Sequence, residues 1–123
     1  MADTKIDPDP TTKKHGLGGS KDAELEGINA SEYDVFATDK NLSEAQTKYP
    51  NIVWFACFSV KDKSGQYANI SYTLKFDKPA SGTLYYYLNG KAHQLSYEDT
   101  DDKKGKKRVK ATLTVGDPPV GMG

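Results

Sequence analysis

The stretch Leu84-Tyr85-Tyr86-Tyr87-Leu88-Asn89-Gly90-Lys91-Ala92-His93-Gln94-Leu95 decides the fold. Asn-Gly between two apolar and aromatic runs favours a type I′ hairpin, because both turn positions need a positive φ that these residues tolerate. A two-residue turn there sets Leu88 opposite Lys91, Tyr86 opposite His93 and Leu84 opposite Leu95. Side chains alternate between the faces of a strand. Leu84, Tyr86, Leu88, His93, Leu95 and Tyr97 therefore share one face, and Thr83, Tyr85, Tyr87, Ala92, Gln94 and Ser96 the other. The first face has more aliphatics and is expected to face the core.

The same alternation recurs on both sides of the hairpin. Ala68, Ile70, Tyr72, Leu74 and Phe76 alternate with Asn69, Ser71, Thr73 and Lys75. Val109, Ala111, Leu113 and Val115 alternate with Arg108, Lys110, Thr112 and Thr114. Each reads as a strand with one dry and one wet face. The strand from Arg108 is expected to pair with Lys91–Tyr97 across a charged loop at 98–105. Asn51 to Val60 is a near-continuous apolar run, expected to be a strand buried on both faces. Tyr33-Asp34-Val35-Phe36-Ala37 reads as a short first strand. Ser43-Glu44-Ala45-Gln46 has capping-box spacing, which predicts a short helix near 44–48, ending before Pro50.

About six strands with short turns predict an all-β fold: an antiparallel β-sandwich or a small barrel. An immunoglobulin-like sandwich is the first choice. The Trp54 strand resembles the buried-Trp strand of such domains, although the single Cys57 leaves no pair for their disulfide.

Residues 1–30 carry six acids and four bases, with Pro8, Pro10 and several glycines, and few large apolar side chains. That composition cannot offset its own ordering entropy. It reads as an N-terminal arm, flexible or ordered on a partner, ahead of a β-sandwich domain at 31–116. The Pro/Gly-rich tail 117–123 is expected not to continue a sheet, because proline has no N–H to donate.

The chain has 123 residues, with 17 Lys+Arg against 17 Asp+Glu. That length allows one domain. A zero net charge supplies no global pull toward nucleic acid or an anionic membrane. No apolar run approaches the roughly 20 residues a membrane helix needs. No apolar segment follows Met1, so no signal peptide is expected. That is the expectation for a cytoplasmic or particle-associated protein, or for a fragment of a surface protein. The sequons at Asn29, Asn41 and Asn69 read as chance matches in that setting.

No nucleophile, base and oxyanion set can be assembled, so the protein reads as non-enzymatic. Cys57 is expected to be a small core residue, and His93 a hydrogen-bonding neighbour of Tyr86. Glu98, Asp99, Asp101 and Asp102 could offer oxygens to calcium, but they match no EF-hand spacing. The adjoining Lys103, Lys104, Lys106, Lys107 and Arg108 compete for them, and no metal or cofactor is expected. Lys104, Lys106, Arg108 and Lys110 form an alternating basic ladder, read as a solvent face. Gly16-Leu17-Gly18-Gly19 has no Lys-Ser/Thr after it and is not a phosphate loop.

The unusual feature is eight tyrosines. Tyr85 and Tyr87 share a face with Gln94. Tyrosine gives rigid amphipathic contact area at low entropic cost. Two functions follow. The first is a structural or assembly module that works by protein–protein contact or self-association, with the arm at 1–30 ordering on a neighbouring subunit. The alternative is a carbohydrate-binding module using Tyr85, Tyr87 and Gln94.

Overall fold

The structure is a computed structural model that describes residues 3–17, 23–77, 82–103, 106–116 and 119–123, with backbone alone at 101–103 and 106–107. In chain order its elements are β1 Thr4–Ile6, β2 His15–Leu17, β3 Ala23–Glu26, β4 Tyr33–Ala37, α1 Leu42–Lys48, β5 Trp54–Asp62, β6 Tyr72–Asp77, β7 Leu84–Leu88, β8 Lys91–Leu95, β9 Glu98–Lys103, β10 Lys106–Leu113 and β11 Pro119–Met122. They form two antiparallel sheets, one ordered β1-β4-β5-β11-β7-β8 and the other β2-β3-β6-β10-β9. This is an all-β sandwich.

The hairpin forms in the register its turn dictates. Leu84 pairs with Leu95, Tyr86 with His93 and Leu88 with Lys91. Asn89 and Gly90 hold the positive φ values, 53° and 78°, that the turn requires. The inner faces are filled by side chains at period two. Tyr72, Leu74 and Phe76 of β6 and Val109, Ala111 and Leu113 of β10 meet Val35, Trp54, Ala56, Phe58 and Val60 from the opposite sheet. Trp54 stacks on Phe76 at 4.2 Å and 12°. Phe58 meets Tyr72 edge-on at 6.1 Å. These ring pairs tie β5 to β6 across the interior.

Within residues 1–30 the described segments 4–6, 15–17 and 23–26 are strands of the two sheets, so strands of the sandwich lie outside 31–116. β1 pairs with β4, β2 with β3, and β3 with β6. Leu17, Ala23, Leu25 and Ile28 lie in the core, and Leu25 is fully buried. Burying a leucine is worth about 1.5–3 kcal/mol. Composition averaged over 30 residues hid the inward positions of very short strands, where a single leucine decides the pairing.

The tail is a second correction. β11 lies in the middle of the larger sheet, pairing with β5 on one side and β7 on the other. Val120 and Met122 are buried. Pro119 opens the strand, a place where a missing N–H is tolerated.

The pairing expected between 91–97 and 108–115 does not form. β8 and β10 lie in different sheets, and the supposed charged loop is β9, which pairs with β10. β5 is not dry on both faces, since Phe55 and Cys57 are half-buried. The helix starts two residues earlier than its capping box implies. Asn41 is the N-cap, at φ 64°, and no side chain caps the helix. Gly18, Gly19 and Lys104 lie outside the described residues.

A tyrosine groove as the candidate functional site

The outer face of the larger sheet is built by register. Phe55 of β5, Gly121 of β11, Tyr85 of β7 and Gln94 of β8 stand in one row across four strands. Pro119 pairs with Cys57, and Tyr87 with Ala92, in the next row. Gly121 has no side chain, and Ile52 takes the space beside it. A Cβ there would lie 2.8 Å from Ile52 Cγ2 and 3.1 Å from the Trp54 carbonyl oxygen. The glycine lets the 50–53 segment lie close over β11.

α1 and the turn after it form one wall of this depression. The Lys48 ammonium donates to the Gly90 carbonyl. The Ala92 N–H donates to Tyr49 Oη at 3.1 Å. Tyr49 meets Tyr87 edge-on at 6.2 Å and 75°. The result is a groove of about 450 Å³ lined chiefly by Tyr49, Ile52, Phe55, Tyr85, Tyr87 and Gly121. That volume lies in the range of small-ligand pockets.

The groove holds one exceptional polar atom. Tyr87 is 4 % exposed, and its buried hydroxyl makes no close hydrogen bond, with the Glu44 carboxylate near enough to act on it. Burial raises the phenol's pKa above its ordinary value, and the Glu44 carboxylate acts in the same direction.

The expected site residues therefore divide. Tyr85 is half-buried and Tyr87 buried, and both line the groove. Gln94 is exposed beside Tyr85 but stands outside the lining. Tyr49, Phe55, Ile52 and Gly121 were missed. No local sequence signal joins them to Tyr85, because each reaches the groove through the unexpected β11 or the turn after α1. Cys57 and His93 are not brought together. Two strands separate theirs, roughly 14 Å at about 4.8 Å per spacing, and His93 stacks on Tyr86 at 5.0 Å instead.

The outer face of the smaller sheet carries charge instead. Arg108 is 5 % exposed. Its guanidinium donates to Asp77 at 2.7 Å and approaches Glu24 at 3.5 Å. Lys14 reaches Glu26 at 2.9 Å, and Lys75 reaches the same carboxylate at 3.3 Å. Burial pushes Glu26 upward, but the two lysines outweigh it and hold its pKa below the ordinary value. The hydrogen bond from Lys14 to Glu26 raises the lysine's pKa in turn. Arg108 is thus no rung of a solvent-facing basic ladder. It is the buried end of an ion-pair chain.

Compared with known proteins, the chain matches no family model, no curated protein and no solved structure. Fold and site together define an all-β sandwich with an aromatic groove on one outer face.

Proposed function

We propose that this protein is a non-enzymatic interaction module, and that the groove beside α1 is its contact surface for an apolar side chain of a protein partner. The observation that carries this reading is the groove of about 450 Å³ walled by Tyr49, Ile52, Phe55, Tyr85 and Tyr87 on the outer side of the larger sheet. Aromatic-walled pockets that bury one anchor side chain are where binding energy concentrates in protein interfaces. The lining is mostly apolar and aromatic, which matches such an anchor. The arm role drops out, because residues 4–6, 15–17 and 23–26 pair within the chain itself.

A carbohydrate ligand is the second reading. The exposed amide of Gln94 beside Tyr85 favours it, since a sugar needs polar partners next to an aromatic face.

One experiment separates the two. Wild-type protein and Tyr85→Ala are titrated against peptides carrying a central Leu, Phe or Trp anchor, and against a glycan array. Peptide binding that Tyr85→Ala weakens by about tenfold or more, the usual size of a hot-spot loss, supports the protein partner. Glycan binding with the same sensitivity supports the sugar. Binding of either that ignores the substitution, or no binding at all, contradicts the groove as the working surface.

A further inference from the structure

Residues 3–17 cross from one sheet to the other. β1 is the edge strand of the larger sheet, paired with β4 over three residues. β2 is the edge strand of the smaller sheet, paired with β3 over three residues. The bend between them closes on itself. The Asp9 N–H donates to the Lys14 carbonyl and the Lys13 N–H to the Asp9 carbonyl, both at 2.8 Å. The Asp9 carboxylate accepts from the Thr11 and Thr12 N–H groups at 2.8 and 2.9 Å. The segment is therefore a strap over one edge of the sandwich, with a firm bend in the middle and a short ladder at each end. Its apolar anchors are few: Leu17 is buried and Ile6 half-buried. The ion pairs that tie it down, Lys5 to Asp34 and Lys14 to Glu26, are partly exposed and so contribute little. A segment held this lightly opens at lower cost than the fold as a whole.

His15 sits inside this strap. It is 1 % exposed, and its Nδ1 is buried without a hydrogen-bond partner. A neutral ring can leave that nitrogen bare. An imidazolium carries a proton on both nitrogens and a full charge, and a buried charge without a bonded partner is strongly unfavourable. The neighbouring groups do not supply one. On β3 the register partner is Leu25, and the flanking Glu24 and Glu26 stand on the outer face, engaged by Arg108, Lys14 and Lys75. From the other sheet, Asp34 on β4 and Asp7 after β1 attract a proton to the ring, but burial outweighs them. Asp34 is itself engaged by Lys5 and Lys63. Histidine is the side chain whose ordinary titration falls between pH 5 and 8, and His15 is the single histidine in the strap.

We propose that residues 3–17 are an acid-released strap: protonation of His15 ejects β2, and β1 with it through the firm bend, while the rest of the sandwich stays folded. Release bares the edges of β3 and β4, and a bare strand edge accepts another strand. The device is separate from the groove beside α1.

Hydrogen exchange of the full chain, followed by NMR at stepped pH and corrected for the intrinsic rate at each pH, tests it. The bonded amides of β1 and β2 are expected to exchange about tenfold or more faster than those of β5 and β6 at the same pH, the mark of local opening. Below about pH 6.5 their protection should fall by about tenfold per pH unit, as for one proton taken up on opening, until the folded ring itself titrates. In His15→Gln, which takes up no proton there, protection should stay level. Strap amides that exchange no faster than β5 and β6 overturn the proposal, because the strap then leaves only with the whole fold. A pH dependence that persists in His15→Gln also overturns it. If that variant does not fold, the wild-type ring decides, with His93 on β8 as the reference histidine. The His15 ring and the β1 and β2 amides should change at one shared midpoint. A His15 ring that titrates while those amides stay undisturbed contradicts the proposal.

Discussion

The two outer faces of this sandwich solve the same problem in opposite ways. Across β3, β6 and β10 the charges answer one another: Lys14 and Lys75 meet Glu26, and Arg108 meets Asp77 and Glu24. Across β5, β11 and β7 the rings do not close up. Tyr49, Phe55, Tyr85 and Tyr87 stand with Ile52 around open volume. A face whose charges pair with one another has little to offer a ligand, while a face with an open aromatic groove has more. On the proposed reading the smaller sheet's surface serves stability and the larger sheet's serves contact. Substitutions should separate the two.

The largest effect is expected at Arg108. Arg108→Met removes the buried cation that faces Asp77 and Glu24, and breaking a buried pair costs about 3–5 kcal/mol. Urea unfolding measures it. The double substitution Arg108→Met/Asp77→Leu should recover most of that loss, because no lone charge remains. A single substitution costing under 1 kcal/mol would mean that the charged face does not stabilise the fold.

Leu25→Ala follows, at about 2–5 kcal/mol for a leucine truncated in a packed core. It tests whether residues 23–26 are structural. A midpoint unchanged from wild type would restore the arm reading. Gly121→Ala is smaller, at about 1–3 kcal/mol for overpacking, and it should also narrow the groove. Lys75→Ala comes last among these, at about 0–1 kcal/mol, since a partly exposed ion pair is screened by solvent.

The pH dependence has two limbs. His15 is 1 % exposed on β2. Burial lowers its pKa below 6.5, against the smaller opposing influence of Asp34 and Asp7. The unfolded chain takes up that proton first, so stability falls as pH drops below about 6.5, the ordinary histidine value. His15→Leu should flatten this limb. Asp34, whose pKa is held low first by the Lys63 hydrogen bond and then by Lys5, belongs to a second limb with Glu26. Their contribution is complete above the ordinary carboxylate values. It is lost as pH falls through the lowered folded ones. Thermal melts at stepped pH measure both limbs.

How much of this was legible follows from sequence distance. The hairpin could be read because its turn and both strands lie within twelve consecutive residues. The core phases of β6 and β10 could be read because alternation is local. Short strands could not. β1, β2 and β11 are three or four residues long, which leaves room for barely one period, and the ladders that hold them come from elsewhere in the chain. The groove was half legible for the same reason. Tyr85 and Tyr87 stand out locally, whereas Gly121 and Phe55 join them only through β11.

The most direct test of the contact surface is a two-dimensional NMR titration of the full chain with phenol and indole, as probes for an aromatic anchor. The account predicts shifts concentrated on Tyr49, Phe55, Tyr85, Tyr87, Ala92 and Gly121, and lost in Tyr85→Ala. Shifts centred on the Lys14–Glu26–Arg108 face, or shifts that survive Tyr85→Ala, would contradict it.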